Sequence, residues 1–150
     1  LSHERFALCI AHALRNESIC MPAHHPEAKP CVACGRVITW RKKWERDWDN
    51  VKFCSNACRK HKPGALDVAL EHAILSLLRS RPRTATICPS EAARNVAASP
   101  AHATQDWNAL MEPTRKAARR LVAQGLINIT QQGKVVDASE AKGAIRLKLT

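Results

Sequence analysis

The sequence predicts an α+β protein: a small treble-clef-like finger over residues 29–62, then a winged helix-turn-helix domain over residues 66–150. Three observations lead there. Cysteines recur as C-x2-C, nineteen residues, then C-x3-C, at Cys31, Cys34, Cys54 and Cys58. Beyond Pro63-Gly64 the apolar residues fall into a helical period, and after Gly125 that period shortens to two.

The 150 residues leave room for one ordinary domain or two small ones. A formal charge of +11 calls for an anionic partner: nucleic acid, an acidic membrane surface or an acidic protein. No apolar run approaches the roughly 18 residues of a membrane span, and no signal-peptide pattern opens the chain, so a membrane role is not expected. Seven cysteines is an odd number, and four of them sit in metal-type pairs. Reduced thiols in the cytoplasm are therefore expected in place of a disulfide scaffold. The charge is uneven: residues 1–28 carry two basic and three acidic side chains, residues 29–62 ten and three, and residues 66–150 twelve and seven.

Residues 1–28 read as a poorly structured leader. Phe6, Ile10, Ala13 and Leu14 give a weak helical stripe, and a Pro-rich stretch follows. Cys9-x2-His12 and Cys20-x3-His24 are short Cys/His tracts of the kind that arise by chance.

Residues 29–62 are too few to bury a self-sufficient core and need a staple. Four thiolates in two distant pairs close a tetrahedron around one structural Zn2+, with Cys31, Cys34, Cys54 and Cys58 as ligands. Gly35 supplies a tight turn after Cys34. Val37–Trp40 and Val51–Phe53 read as two short strands, with a turn at Asp49-Asn50. Ser55 reads as the cap of a short helix that carries Cys58. Four thiolates on a divalent ion leave a net −2, so part of the finger's basic charge screens the metal, with Arg36, Lys52 and Arg59 best placed.

Trp40, Trp44 and Trp48 recur at every fourth residue, with Arg41, Lys42, Lys43 and Arg46 between them. Two readings stand. The rings form the finger's miniature core, the favoured reading for Trp40 and one other, or they stack bases while Arg41, Lys42 and Lys43 meet phosphates.

On these residues the stretch resembles the bacterial domain-of-unknown-function family 2256. The shared pattern is W-R-K-K-W (Trp40 to Trp44) and C-S-x-x-C-R (Cys54 to Arg59). The C-x2-C-G and F-C-S-x-x-C-R pieces are also similar to the small zinc-binding inhibitor of DNA gyrase, a resemblance that implies the finger fold.

After a short linker at residues 63–65, Leu66, Leu70, Ile74, Leu77 and Leu78 predict a first helix, stopped by Arg81-Pro82. Thr84–Ile87 reads as a small strand. Ser90 reads as the N-cap of a second helix that ends at Ser99-Pro100, and Cys88 as a small apolar residue. Trp107, Leu110 and Met111 give a turn or two. A third helix is expected from Pro113 to Gln124, closed by Gly125.

On that third helix Thr114, Ala117, Ala118, Leu121 and Val122 share one face, and Arg115, Lys116, Arg119 and Arg120 the opposite one. Like charges stacked at i,i+4 cost a few tenths of a kcal/mol per pair, which an anionic partner would reverse. Residues 126–130 and 134–136 flank a hairpin turn, and Ile145, Leu147 and Leu149 alternate as a last strand. This order places the basic helix at the recognition position and Lys134 on the wing. The module resembles domain-of-unknown-function family 3253 through P-S-E-x-A-R (Pro89 to Arg94), R-x-A-A-R-R-L (Arg115 to Leu121) and G-x-x-R-L (Gly143 to Leu147).

The function expected from sequence is therefore nucleic-acid binding, DNA before RNA. Arg115, Lys116, Arg119, Arg120 and Lys134 make the main contact, and Arg41, Lys42 and Lys43 an auxiliary one. The alternative is a protein-interaction module for an acidic partner. Catalysis is not expected. No carboxylate pair, nucleophile set or phosphate loop appears, and a four-thiolate zinc keeps no open position. No small-molecule substrate is inferred.

Overall fold

A computed structural model describes residues 26–103 and 105–150 of the chain. The helix expected early in the leader, and the Cys9/His12 and Cys20/His24 pairs, lie outside the described residues.

The finger begins with a knuckle. Cys31 N donates to Arg36 O at 2.8 Å and Gly35 N to Cys31 O at 2.8 Å, so the chain reverses within six residues. Gly35 takes φ +71°, a left-handed conformation that glycine adopts without penalty. The reversal brings β1 (Lys29–Pro30) against β2 (Val37–Ile38), antiparallel, with Lys29 opposite Ile38. The strand expected at Val51–Phe53 is absent. That segment carries two backbone bonds and no ladder: Val51 N donates to Trp48 O at 3.1 Å, and Lys52 O accepts from Val32 N at 3.0 Å. The pairing partner of β2 lies upstream of the first cysteine because the knuckle closes locally.

Two 3-10 turns, Lys42–Trp44 and Trp48–Asn50, carry the tryptophans. Trp48 is buried with Cys31, Ala33, Cys34 and Ile38, and Trp40, Trp44, Val51 and Phe53 pack around them. Trp48 is thus the buried ring of the core, while Trp40, the ring favoured for it, is half-buried against the cluster. Helix α1 (Asn56–Lys60) starts where expected, with Ser55 Oγ accepting from Cys58 N at 3.2 Å.

The second unit stacks three helices on a three-stranded sheet. Helix α2 (Ala65–Arg79) buries Leu70, Ala73, Ile74 and Leu78. Helix α3 (Pro89–Ala97) starts one residue before the expected cap. Pro89 takes the first helical position, and Glu91 Oε1 accepts from Cys88 N at 2.8 Å, so the cap falls at Cys88 and not at Ser90. Helix α4 (Met111–Ala123) starts two residues earlier than expected. Pro113 is tolerated there because N–H groups of a first turn have no intrahelical partner.

The sheet has the order β4-β3-β5, from β3 (Ile127–Gln131), β4 (Lys134–Val135) and β5 (Arg146–Leu149), all antiparallel. Gln132 (φ 49°) and Gly133 (φ 80°) are both left-handed, the requirement of a two-residue type I′ turn. The strand expected at residues 84–87 reduces to one bridge, Ile87 with Leu147 on β5. Ile87, Leu121, Ile127, Ile129 and Leu147 join the α2–α3–α4 core, each at most 2% exposed. The mixture of helix and sheet is the α+β class expected. No helix among the described residues is long and apolar enough to cross a membrane.

Candidate metal centre

The knuckle holds Cys31 and Cys34, the first turn of α1 holds Cys58, and Cys54 precedes its cap. The four sulfurs lie within 4.8 Å of one another. Cys34 Sγ to Cys54 Sγ and Cys54 Sγ to Cys58 Sγ are both 3.6 Å. A disulfide would need about 2.05 Å, and all four cysteines are unbridged. Four thiolates about 2.3 Å from a central ion would sit about 3.8 Å apart. The cluster therefore fits a tetrahedral metal and does not fit a pair of cystines.

Backbone and burial prepare the sulfurs unequally. Burial pushes the Cys31 thiol up, but N–H donors from Cys54, Cys34 and Ala33 outweigh it and hold the group at about 7. Cys54 N reaches Cys31 Sγ at 3.4 Å. Burial raises Cys34. Burial, then the neighbouring sulfurs of Cys34, Cys58 and Cys31, push Cys54 up to about 12. Four crowded thiols cannot all ionise without a cation among them, which is the need a divalent metal meets.

The same knuckle is seated on α4. A Cβ built on Gly35 would lie 2.4 Å from Arg119 C, 2.5 Å from Arg120 N and 2.6 Å from Arg119 Cβ. Glycine is thus required twice, for the turn and for the approach to the helix. Arg119 Nε donates to Cys34 O at 2.9 Å, and Arg120 Nη1 to Ala33 O at 2.8 Å. Arg119 also pairs with Glu112 at 3.0 Å, and Arg120 with Asp67 at 3.0 Å and with Glu71. Val37 N donates to Ser139 Oγ at 2.8 Å, adding a tie to the segment between β4 and β5. The two segments that read as separate modules share this interface.

That seating corrects the expected nucleic-acid face. Arg119 and Arg120 are each 6% exposed. Three carboxylates and two knuckle carbonyls satisfy them, so they are not open to phosphate. Arg115 is half-buried and donates to Gly143 O. Lys116 is half-buried and lines a cleft of about 670 Å³ between finger and helix. Lys134 stands exposed on β4, away from that seat in sequence, and Arg41, Lys42 and Lys43 are exposed on the finger. The structure brings the four cysteines together but does not gather the eight cations into one surface.

Sequence reasoning missed Asp67, Glu71 and Ser139 as partners. A usable signal existed for the first two: they are spaced i,i+4 on one helix and so can converge on one cation, Arg120.

A family model described as an uncharacterized protein conserved in bacteria (DUF2256) matches residues 23–61, the span of the finger. No curated protein matches the chain. A second model matches residues 67–150, more than half of the chain, and on that span the chain belongs to the family described as protein of unknown function DUF3253.

Proposed function

We propose that this is a non-catalytic nucleic-acid-binding protein in which a zinc-stabilised finger makes the contact and the second unit serves as its seat. Zinc is the metal that four thiolates at tetrahedral spacing favour, and four protein ligands leave no position for a reacting water. The finger reads as a treble clef: knuckle, hairpin, then a helix with the last ligand. The order α2, Ile87 bridge, α3, α4, β3, β5 reads as a winged helix with α4 at the recognition position. Unbridged cysteines fit a reducing compartment such as the cytoplasm.

One observation carries the reading. With Arg119 and Arg120 withdrawn, the exposed positive charge gathers on the finger. Nine of its ten Lys and Arg side chains are exposed, Arg41, Lys42, Lys43, Lys52, Arg59 and Lys62 among them. Insertion of α4 into a major groove is the weaker mode, because the knuckle occupies the face that would enter.

The test is a fluorescence anisotropy titration of labelled oligonucleotides across a salt series. Binding should weaken steeply with salt. Replacing Arg41, Lys42 and Lys43 together by alanine should flatten the log-affinity against log-salt slope by about 2 to 3, at 0.7–0.9 for each phosphate no longer neutralised. No binding at low salt, or an unchanged slope, refutes the proposal.

A further inference from the structure

The finger carries a groove distinct from the cleft above α4. It encloses about 490 Å³ and runs along Trp44, Phe53 and the start of α1. That volume falls within the roughly 300–1,000 Å³ of small-ligand pockets. Trp44 and Phe53 are half-buried, so each offers part of a ring to the groove. Lys43, Lys52, Arg59 and Lys62 line it as well. Glu45, Asp47 and Asp49 lie close in sequence and none of them lines the groove, while Cys54 of the four-cysteine cluster does. Asn50 and Asn56 add amide groups, which can both donate and accept along the edge of a base.

Trp44 is already held as a cation-binding ring. Lys43 Nζ lies 4.8 Å and Arg41 Cζ 5.6 Å from its centroid. Trp48 backs it, with centroids 6.0 Å apart and planes tilted by 34°. A base stacking on Trp44 would displace the cations that lie over the ring, and those cations would then take the phosphates on either side. A base within a duplex cannot present that face, because its neighbours already stack on it.

We propose that this groove takes an unpaired nucleobase of a single-stranded nucleic acid, stacked on Trp44 beside Phe53, with flanking phosphates on Lys43, Lys52, Arg59 and Lys62. The proposal rests on the reading of the finger as the nucleic-acid contact and adds which form of nucleic acid it selects.

The experiment compares four labelled ligands of equal length at one low salt concentration: oligo-dT, oligo-U, a mixed duplex, and an abasic single strand. The abasic strand keeps the phosphates and removes the bases, so it reports on stacking without altering the protein. It should bind roughly 5- to 150-fold more weakly than oligo-dT, and the duplex should also bind more weakly than either base-bearing single strand. Trp44→Leu keeps an apolar side chain against the finger core, though a smaller one, and should lower oligo-dT affinity by a similar factor while leaving abasic affinity unchanged. Metal content by mass spectrometry confirms that this variant is folded. Equal affinity for oligo-dT, duplex and abasic strand overturns the groove and leaves binding by charge alone. Failure of all four ligands to bind overturns the finger contact itself.

Discussion

Gly35→Ala is the sharpest test of the joint between finger and helix. The added methyl would stand 2.4–2.6 Å from three atoms of α4, two of them backbone. Ordinary carbon contacts begin near 3.5 Å, so the knuckle must retreat by about 1 Å. That retreat stretches Arg119 Nε to Cys34 O from 2.9 Å and Arg120 Nη1 to Ala33 O from 2.8 Å, to nearly 4 Å, beyond hydrogen-bonding range. Two bonds from charged donors, at about 1.5–3 kcal/mol each, are lost. Alanine at φ +71° adds about 1–2 kcal/mol. The expected destabilisation is about 4–8 kcal/mol, comparable with the whole stability of a small domain.

Two other glycines make the controls. Gly125 has φ +72° with nothing within 4 Å of a built Cβ, so Gly125→Ala isolates the conformational penalty. Gly64 has neither constraint, and Gly64→Ala should be close to neutral. Urea denaturation of the three variants, with limited proteolysis at Pro63-Gly64 as a probe of undocking, gives the comparison. If Gly35→Ala costs no more than Gly125→Ala, the close approach of the knuckle to α4 is refuted.

Three further outcomes are expected. Arg120→Ala leaves Asp67 and Glu71 without their cation and should destabilise by about 3–5 kcal/mol in urea; adding Asp67→Asn and Glu71→Gln should recover part of that loss, and no recovery would mean the carboxylates are solvated without the arginine. Glu91 is pushed up by burial but pulled down further by Cys88 N–H and Arg81, so it sits below its ordinary value of 4.5. Its folded pKa is the lower one, so its contribution is present above pH 4.5 and is lost as pH falls through the depressed value. Glu91→Gln should therefore cost about 0.5–1.5 kcal/mol at pH 7 and almost nothing near pH 2, read from thermal unfolding. Mass spectrometry should find one zinc per chain, and its removal should destabilise both units together. Calorimetry in buffers of different ionisation enthalpy should show protons released on binding, so affinity rises with pH, because Cys34 and Cys54 give up protons held above their ordinary value. Full stability in the presence of a strong chelator would refute the metal centre.

The four-cysteine cluster was legible because coordination chemistry writes itself into spacing: C-x2-C and C-x3-C are set by how a short loop or helical turn brings two sulfurs to one point. The three long helices were legible from period, and the hairpin turn from Gly133. The errors fell where a distant contact decides the outcome. Val51–Phe53 has strand composition but no edge to pair with, since the knuckle gives that edge to Lys29–Pro30. The residues 84–87 keep only Ile87 in the ladder, because β5 offers them one bridge at Leu147. Gly35 was legible as a turn residue, but its contact with α4 lies 85 residues away by way of Cys34 O, and no local pattern encodes that.

The basic helix teaches the most about inferring a partner from charge. Arg115, Lys116, Arg119 and Arg120 stack like charges at i,i+4, and that repulsion does require a counter-charge. The requirement is met inside the chain for two of the four. Asp67 and Glu71 on α2, Glu112 on the first turn of α4, and the carbonyls of Ala33 and Cys34 surround Arg119 and Arg120. Unmatched charge on one helix thus specifies that an anion must be found, and leaves its location to the fold. The same logic applied to the finger gives a different answer. Its three carboxylates, Glu45, Asp47 and Asp49, are themselves exposed, and none enters the groove where Lys43, Lys52, Arg59 and Lys62 converge. A divalent ion on the four thiolates would leave a net −2; Cys31 and Cys34 are buried, Cys54 lines the groove, and the knuckle carbonyls already face the arginine pair. Among the described residues, exposed cations not paired with a carboxylate are therefore denser on the finger than on α4, which is why the proposed anionic contact is placed on the finger.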